Sequence, residues 1–592
     1  MLGWQQDVDG KLEKLKPSYM QKFLFYLAIL GFGTACNGPE KKQPDQTSSP
    51  NAGAIGCMPK TTDKAWYAAG TKAPLLNGLG GIDFKISTKN KETQAYFNQG
   101  MMLAYAFNHA EAARSFFEAT RQDSTCAMAY WGFAYVLGPN YNAGMEEDNY
   151  QRAYQAAQQA VSLSVNGTEK EKALISALAE RYTAQPPADR SSLDQAYARA
   201  MKKVYEAFPG DADISALYAE SLMDLHPWDL YDKKTKVPKP WTPEIVSILE
   251  KLIQQCPKHP GAPHFYIHAV EASDQPERGL TAASLLMTLV PGAGHLVHMP
   301  SHIYIWTGDY HLGSLSNIAA VKADSTYITS CHAQGAYPLA YYPHNYHYLA
   351  ATATFEGNAG LAWDAAKKVQ EKTAQDIMLQ PGWGTLQHYY TVPYFVAVKF
   401  GLWDSILAIQ PLQEELIYPR AILHYARGLA FLGKKDRTRA EQEWTRLQAL
   451  AKDTILKTMT IWNINNMLDI VQIAGHVLAA EIYAEKKDYQ KALGEYSRAI
   501  SIEDNLNYNE PPDWFFSVRH QLGATLLRAG KYGEAEKTYL EDLHTWKENG
   551  WALNGLYKAL QKQGKAAEAQ VVKKRFDKAW QYADTDLSFI EL

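Results

Sequence analysis

Apolar and polar positions follow a helical rather than an extended period along most of this chain. Between Tyr96 and Ala134, small residues at Gly100, Ala112 and Ala119 fall with Phe116 at the spacing two antiparallel helices need to approach closely. The pattern returns near the other end. Leu522-Gly523, Ala535 and Tyr539 recur as Leu556-Tyr557, Ala569 and Lys573, and the step from Ala535 to Ala569 sets the period. Ala492, Tyr496 and Ala499 repeat the same second helix earlier, one period and a short surplus before Ala535. That surplus falls in the loop containing Asn509-Glu510-Pro511-Pro512-Asp513-Trp514. In the middle, Gly279 to Gly313 is again exactly one such step. Gly313 to Ala362 and Ala362 to Ile406 are longer, with the first surplus around Ile328 to Tyr342. Only Ile82–Ser87 has an extended pattern.

A helix–turn–helix unit of about 34 residues, with small residues at the crossing, resembles the tetratricopeptide repeat (TPR). The resemblance covers roughly residues 92 to 580 and is clearest at its two ends. It implies an all-α fold, a right-handed α-solenoid of TPR-like helical hairpins, because single hairpins cannot bury their apolar faces alone. It also implies a ligand, a small molecule or peptide, held on the concave surface. It implies no particular reaction. The expected organisation is a signal peptide over 1–35, a polar tether and extension over 36–90, N-terminal repeats over 91–205, histidine-rich central repeats over 206–375 and C-terminal repeats over 376–592.

Composition narrows the setting. With 592 residues, 46% hydrophobic and net charge −4, the chain has material for a large core and no basic footprint for nucleic acid. Phe23–Ala35 is a short apolar run after Lys22, too short to span a bilayer as a helix, which needs about 20 residues. Residues 1–19 carry mixed charge, so the signal fits a start at Met20. Gly33-Thr34-Ala35-Cys36 resembles the lipobox of bacterial lipoproteins, although Gly33 stands where that motif prefers a branched aliphatic residue. The resemblance implies a lipid on Cys36, membrane contact through that anchor alone, and a place in the bacterial cell envelope, periplasmic or surface-exposed. Asn37–Ala54, rich in Pro, Ser, Gln and Lys, suits a flexible tether. Cys57, Cys126, Cys256 and Cys331 allow three pairings and form no CxxC motif, which speaks against a thiolate metal site.

Nine of the 17 histidines lie between His264 and His347, and seven of them, all but His311 and His332, form a patterned set. Set against the repeat, they recur at fixed places. His264, His298 and His347 each precede their unit's small residue by 15; His268 and His302 precede it by 11; His295 and His344 by 18. Separations of three, four and seven put them on one helical face. In the repeat family that first helix lines the groove, so imidazoles from neighbouring units should converge. His264, His268, His295, His298, His302, His344 and His347 are therefore the candidate metal ligands, for copper, zinc or iron in the absence of thiolate. Glu271, three residues beyond His268, is the candidate proton acceptor or further ligand. Pro263 and Pro343 suit a first helical turn, and Pro300 requires a helix to begin near it. His388 and His520 fall at equivalent offsets farther along and are possible groove residues, whereas His109 and His311 sit near turns and read as structural. Ser301 reads as a helix cap rather than a nucleophile. The Glu510-Pro-Pro-Asp513-Trp514 segment reads more readily as a rigid turn than as a wall of the cleft, and Asp224–Asp229 as an unplaced aromatic-polar loop. No phosphate loop, GxSxG elbow or HExxH motif occurs. Three readings follow: a membrane-tethered protein whose groove binds a metal and a ligand, a metal-dependent oxidoreductase or hydrolase in the same groove, or a plain protein-interaction scaffold.

Overall fold

The same turn closes hairpin after hairpin and explains where the helices stop and restart. After helix Lys91–Tyr105, Phe107 takes a left-handed φ of 52° and the Asn108 side chain then accepts the Glu111 N–H to start helix His109–Gln122. A left-handed residue followed by an Asn or Asp cap recurs at Gly357-Asn358, Lys435-Asp436 and Lys487-Asp488. The left-handed residue ends one helix and the carboxylate or amide oxygen satisfies the free N–H groups of the next. The computed structural model describes residues 64–331, 337–514 and 516–587, all within one compact unit.

Packing between successive hairpins rests on one contact. Phe116 lies midway in sequence between Gly100 and Gly132, and a Cβ at those glycines would sit 2.7 and 2.3 Å from its ring. Tyr539 stands in the same relation to Gly523 and Gly555, at 2.4 and 2.1 Å. The second-helix aromatic thus wedges between the first helices of consecutive units, which only glycine permits. The protein is an all-α helical-repeat structure. Strand pairing among the described residues is confined to Thr460–Ile461 with Asn465–Asn466 and two isolated bridges. Ile82–Ser87 is not helical but joins no ladder; the Ser87 N–H donates to Glu171 Oε1 at 2.6 Å instead. Helix Met467–Glu485 is long and apolar enough to cross a membrane, yet most of it is buried inside the protein.

Contacts also reach far beyond nearest neighbours. Tyr310 Oη donates to the Lys547 carbonyl at 2.9 Å, Trp551 Nε1 donates to the Thr354 carbonyl at 2.8 Å, and Asp584 accepts the Gly360 N–H at 2.9 Å. The last two hairpins therefore pack against the unit formed by helices Tyr310–Cys331, Tyr342–Phe355 and Ala359–Lys372. Cys126 and Cys256 carry free thiols. The signal segment, Cys36 with its lipobox, the tether, Cys57, the Cys331 side chain and His332 lie outside the described residues.

Candidate metal centre

Two sets of three histidines meet in the centre of the chain. His264 and His268, one turn apart on helix Gly261–Val270, face His295 on the short helix Gly294–His298. Their ring centroids are 5.0, 5.0 and 6.3 Å apart, and one nitrogen from each falls within 4.8 Å of the others. Hydrogen bonds fix which nitrogen faces inward. His264 Nδ1 lies 2.6 Å from the Tyr105 carbonyl, and His268 Nδ1 lies 2.7 Å from Glu271 Oε1. Both oxygens only accept, so each Nδ1 carries the hydrogen and each Nε2 presents a lone pair. Those two Nε2 atoms and both ring nitrogens of His295 find no hydrogen-bond partner among the described residues, although all three side chains are buried. A buried polar group left so costs roughly 1–3 kcal/mol. Burial holds the His264 and His295 rings well below the usual histidine range and takes His268 down to about 3, so all three are neutral at physiological pH. The Phe107 ring covers the set, 4.5, 5.8 and 5.9 Å from His264, His268 and His295.

The second set is His298, His302 and His344. The chain stays helical through Met299, and a new helix, Pro300–Thr307, begins where the sequence required one. Asn317 spends its amide N–H on the Gly313 carbonyl at 2.8 Å, so its Oδ1 accepts the His298 Nδ1–H at 2.7 Å. His302 Nδ1 lies between Glu271 Oε2 at 2.6 Å and Glu510 Oε2 at 2.7 Å. With both Nδ1 atoms donating outward, the Nε2 atoms of His298 and His302 face each other at 2.7 Å. Two lone pairs at that distance require a cation between them, a proton or a metal ion. Burial pulls the His302 ring down, but Glu510 and then Glu271 outweigh it and hold the group at about 10. The half-buried His344 ring completes the set, 4.9 Å from His298 and 5.9 Å from His302.

Glu271 joins the two sets, with one oxygen on His268 and the other on His302. Both its oxygens accept imidazole N–H groups, which makes it a positioning carboxylate here. Glu510 arrives from the loop between helices Tyr489–Glu503 and Val518–Arg528. Asn465 holds that loop, donating to Asp513 Oδ2 at 2.8 Å and accepting the Asn507 N–H at 2.8 Å. The segment that reads more readily as a rigid proline turn is instead a wall of the site, with Asn509 and Glu510 bordering its cavity. Trp228, from the loop that sequence left unplaced, meets His268 edge-on at 5.8 Å, while His226 stacks on Trp241 at 3.7 Å. A cavity of about 80 Å³ opens between the sets, bordered by His268, His295, His302, His344, Trp228 and Trp462.

Six of the seven expected ligands therefore converge. His347 stands apart, 5.6 Å from His388, whose Nδ1 lies 2.8 Å from Tyr418 Oη. His520 lines a different cavity of about 310 Å³, with Nε2 2.8 Å from Asp542 and Nδ1 2.8 Å from Lys399 Nζ. His109 packs beside Asn140, and His311 pairs with Glu356 at 2.9 Å. Ser301, expected as a helix cap, instead lies inside helix Pro300–Thr307, where Met299 precedes the first turn without a side-chain cap and the Ser301 Oγ donates back to the His298 carbonyl at 2.7 Å. Sequence periodicity missed the Tyr105 carbonyl, Phe107, Asn317 and the Tyr337–Asp324 pair. The Tyr337 hydroxyl accepts the His295 N–H at 3.2 Å and donates to Asp324 at 2.7 Å.

These features define a helical-repeat protein with a buried, imidazole-rich centre. No family model and no curated protein matches the chain. Among solved structures, a monomeric mutant of IFIT1 with Gppp-AAAA is similar at 12% identity and a TM-score of 0.32, over 81% of this chain and 95% of that one. The human IFIT1 dimer with m7Gppp-AAAA gives 12% and 0.29 over 84% and 92%. The APC/C hetero-tetramer Cut9-Hcn1 gives 14% and 0.27 over 81% and 78%. Scores this low speak for neither ligand nor activity.

Proposed function

We propose that the chain is an exported, lipid-anchored helical-repeat protein that holds a divalent transition-metal ion at His264, His268 and His295 and offers it to a small ligand. One observation supports this above the rest: three buried, neutral imidazoles aim unpartnered nitrogens at one point. The outward N–H groups of two of them rest on a backbone carbonyl and a carboxylate, which is how metal-bound histidines are usually oriented. Without thiolate, copper, zinc or iron suits the donor set. Three protein ligands leave a position open, and the cavity beside His268 and His295 gives that position room for a small molecule. The same opening supports a catalytic reading, in which the ion activates bound water or oxygen; a metal-bound water that exchanges with added anions separates enzyme from binder. The lipobox ending at Cys36 supports the anchor and the cell-envelope location.

Full-length protein without an affinity tag, saturated with Zn²⁺ and then exchanged into metal-free buffer, should retain zinc on elemental analysis. The double variant His264→Ala/His268→Ala should lose one equivalent per chain while keeping its helicity by circular dichroism. Metal-free wild-type protein, or a double variant with undiminished zinc, contradicts the reading.

A further inference from the structure

We infer that His298, His302 and His344 bind a transition-metal ion of their own, so that the groove carries a pair of ions linked through Glu271. This rests on the reading of the first set as a metal site. The second set has the same design: outward-facing nitrogens committed to fixed oxygens and inward-facing nitrogens left to converge. Asn317 takes the His298 Nδ1–H at 2.7 Å, while Glu271 and Glu510 take that of His302 at 2.6 and 2.7 Å. The inward Nε2 atoms then meet at 2.7 Å, and one nitrogen of His344 lies within 4.8 Å of both. Two carboxylates beside one imidazole supply the negative charge that a second dication needs in a buried place.

Geometry allows the exchange of a bridging proton for an ion. Nitrogens bound tetrahedrally at 2.0–2.1 Å stand about 3.3 Å apart, so the two rings must separate by roughly half an ångström. They sit on either side of the Met299–Pro300 junction, where proline has no N–H to tie the two short helices together. Glu271 gives the ions a common support, since one carboxylate orients His268 in the first set and His302 in the second. The cavity of about 80 Å³ borders two ligands of each set, His268 with His295 and His302 with His344, and fits a bridging ligand of hydroxide or small-anion size.

Equilibrium dialysis of the full-length, tag-free protein against Zn²⁺ tests this. Wild type should bind two equivalents per chain, and His344→Ala, a change at a half-buried ring, should bind one. His298→Gln should also bind one, with helicity by circular dichroism reporting whether each variant folds. A single wild-type equivalent that His344→Ala leaves in place overturns the second site and leaves the first standing. Two equivalents that survive both substitutions overturn it as well. No bound zinc in wild type removes both.

Discussion

At the scale of single residues, the decisive feature is the direction of hydrogen bonds. A neutral buried imidazole with Nδ1 donating to a carbonyl or carboxylate presents its Nε2 as an acceptor, as His264 and His268 do, while His298 and His302, whose Nδ1 atoms also face fixed oxygens, hold one cation between their Nε2 atoms. Glu271 settles two of the four. Glu271→Gln puts an amide N–H against one of the imidazoles it now serves, so that ring loses its acceptor. Metal affinity should fall about 10–100-fold, read by competition with a chromophoric chelator, with helicity unchanged. Unaltered affinity would mean that Glu271 plays no part in orienting the ligands.

At the scale of helices, the histidine positions could be read from the sequence because they follow the repeat. Their shared offsets from the small residue of each unit predicted which side chains meet, and six of seven do. The remainder was hidden for two reasons. His347 shares its offset with His264 and His298, but it follows a lengthened unit and turns toward helix Gly384–Lys399 and His388. Tyr105 and Glu510, in contact with His264 and His302, are supplied from distant parts of the chain, and no local period reports such pairings. Helix Gly384–Lys399 offers its own test. Lys399, at its end, is half-buried beside His520, which in turn pairs with Asp542, and desolvation takes its ammonium down to about 7 although Asp542 opposes this. Between that value and about 10.4, where an unfolded lysine titrates, the unfolded chain binds the extra proton. Stability from this group therefore rises with pH across that window, by at most about 1.4 kcal/mol per unit. Urea unfolding at pH 7.5 and 9.5 should show a smaller rise for Lys399→Met than for wild type; equal rises would place the neutral lysine elsewhere.

At the scale of the whole molecule, the site depends on the array touching itself. A plain solenoid contacts only its neighbours, yet here Trp551 reaches Thr354 and Tyr310 reaches Lys547. The loop carrying Glu510 belongs to that C-terminal part and closes over His302. The hairpins thus supply the imidazoles, and the long-range packing supplies a carboxylate and the cavity wall. X-ray absorption at the zinc edge of the full-length, metal-loaded protein tests the central claim most directly. Nitrogen scatterers at about 2.0–2.1 Å with the outer-shell signature of several imidazoles are the predicted result. A first shell of sulfur, or of oxygen without imidazole, would contradict it.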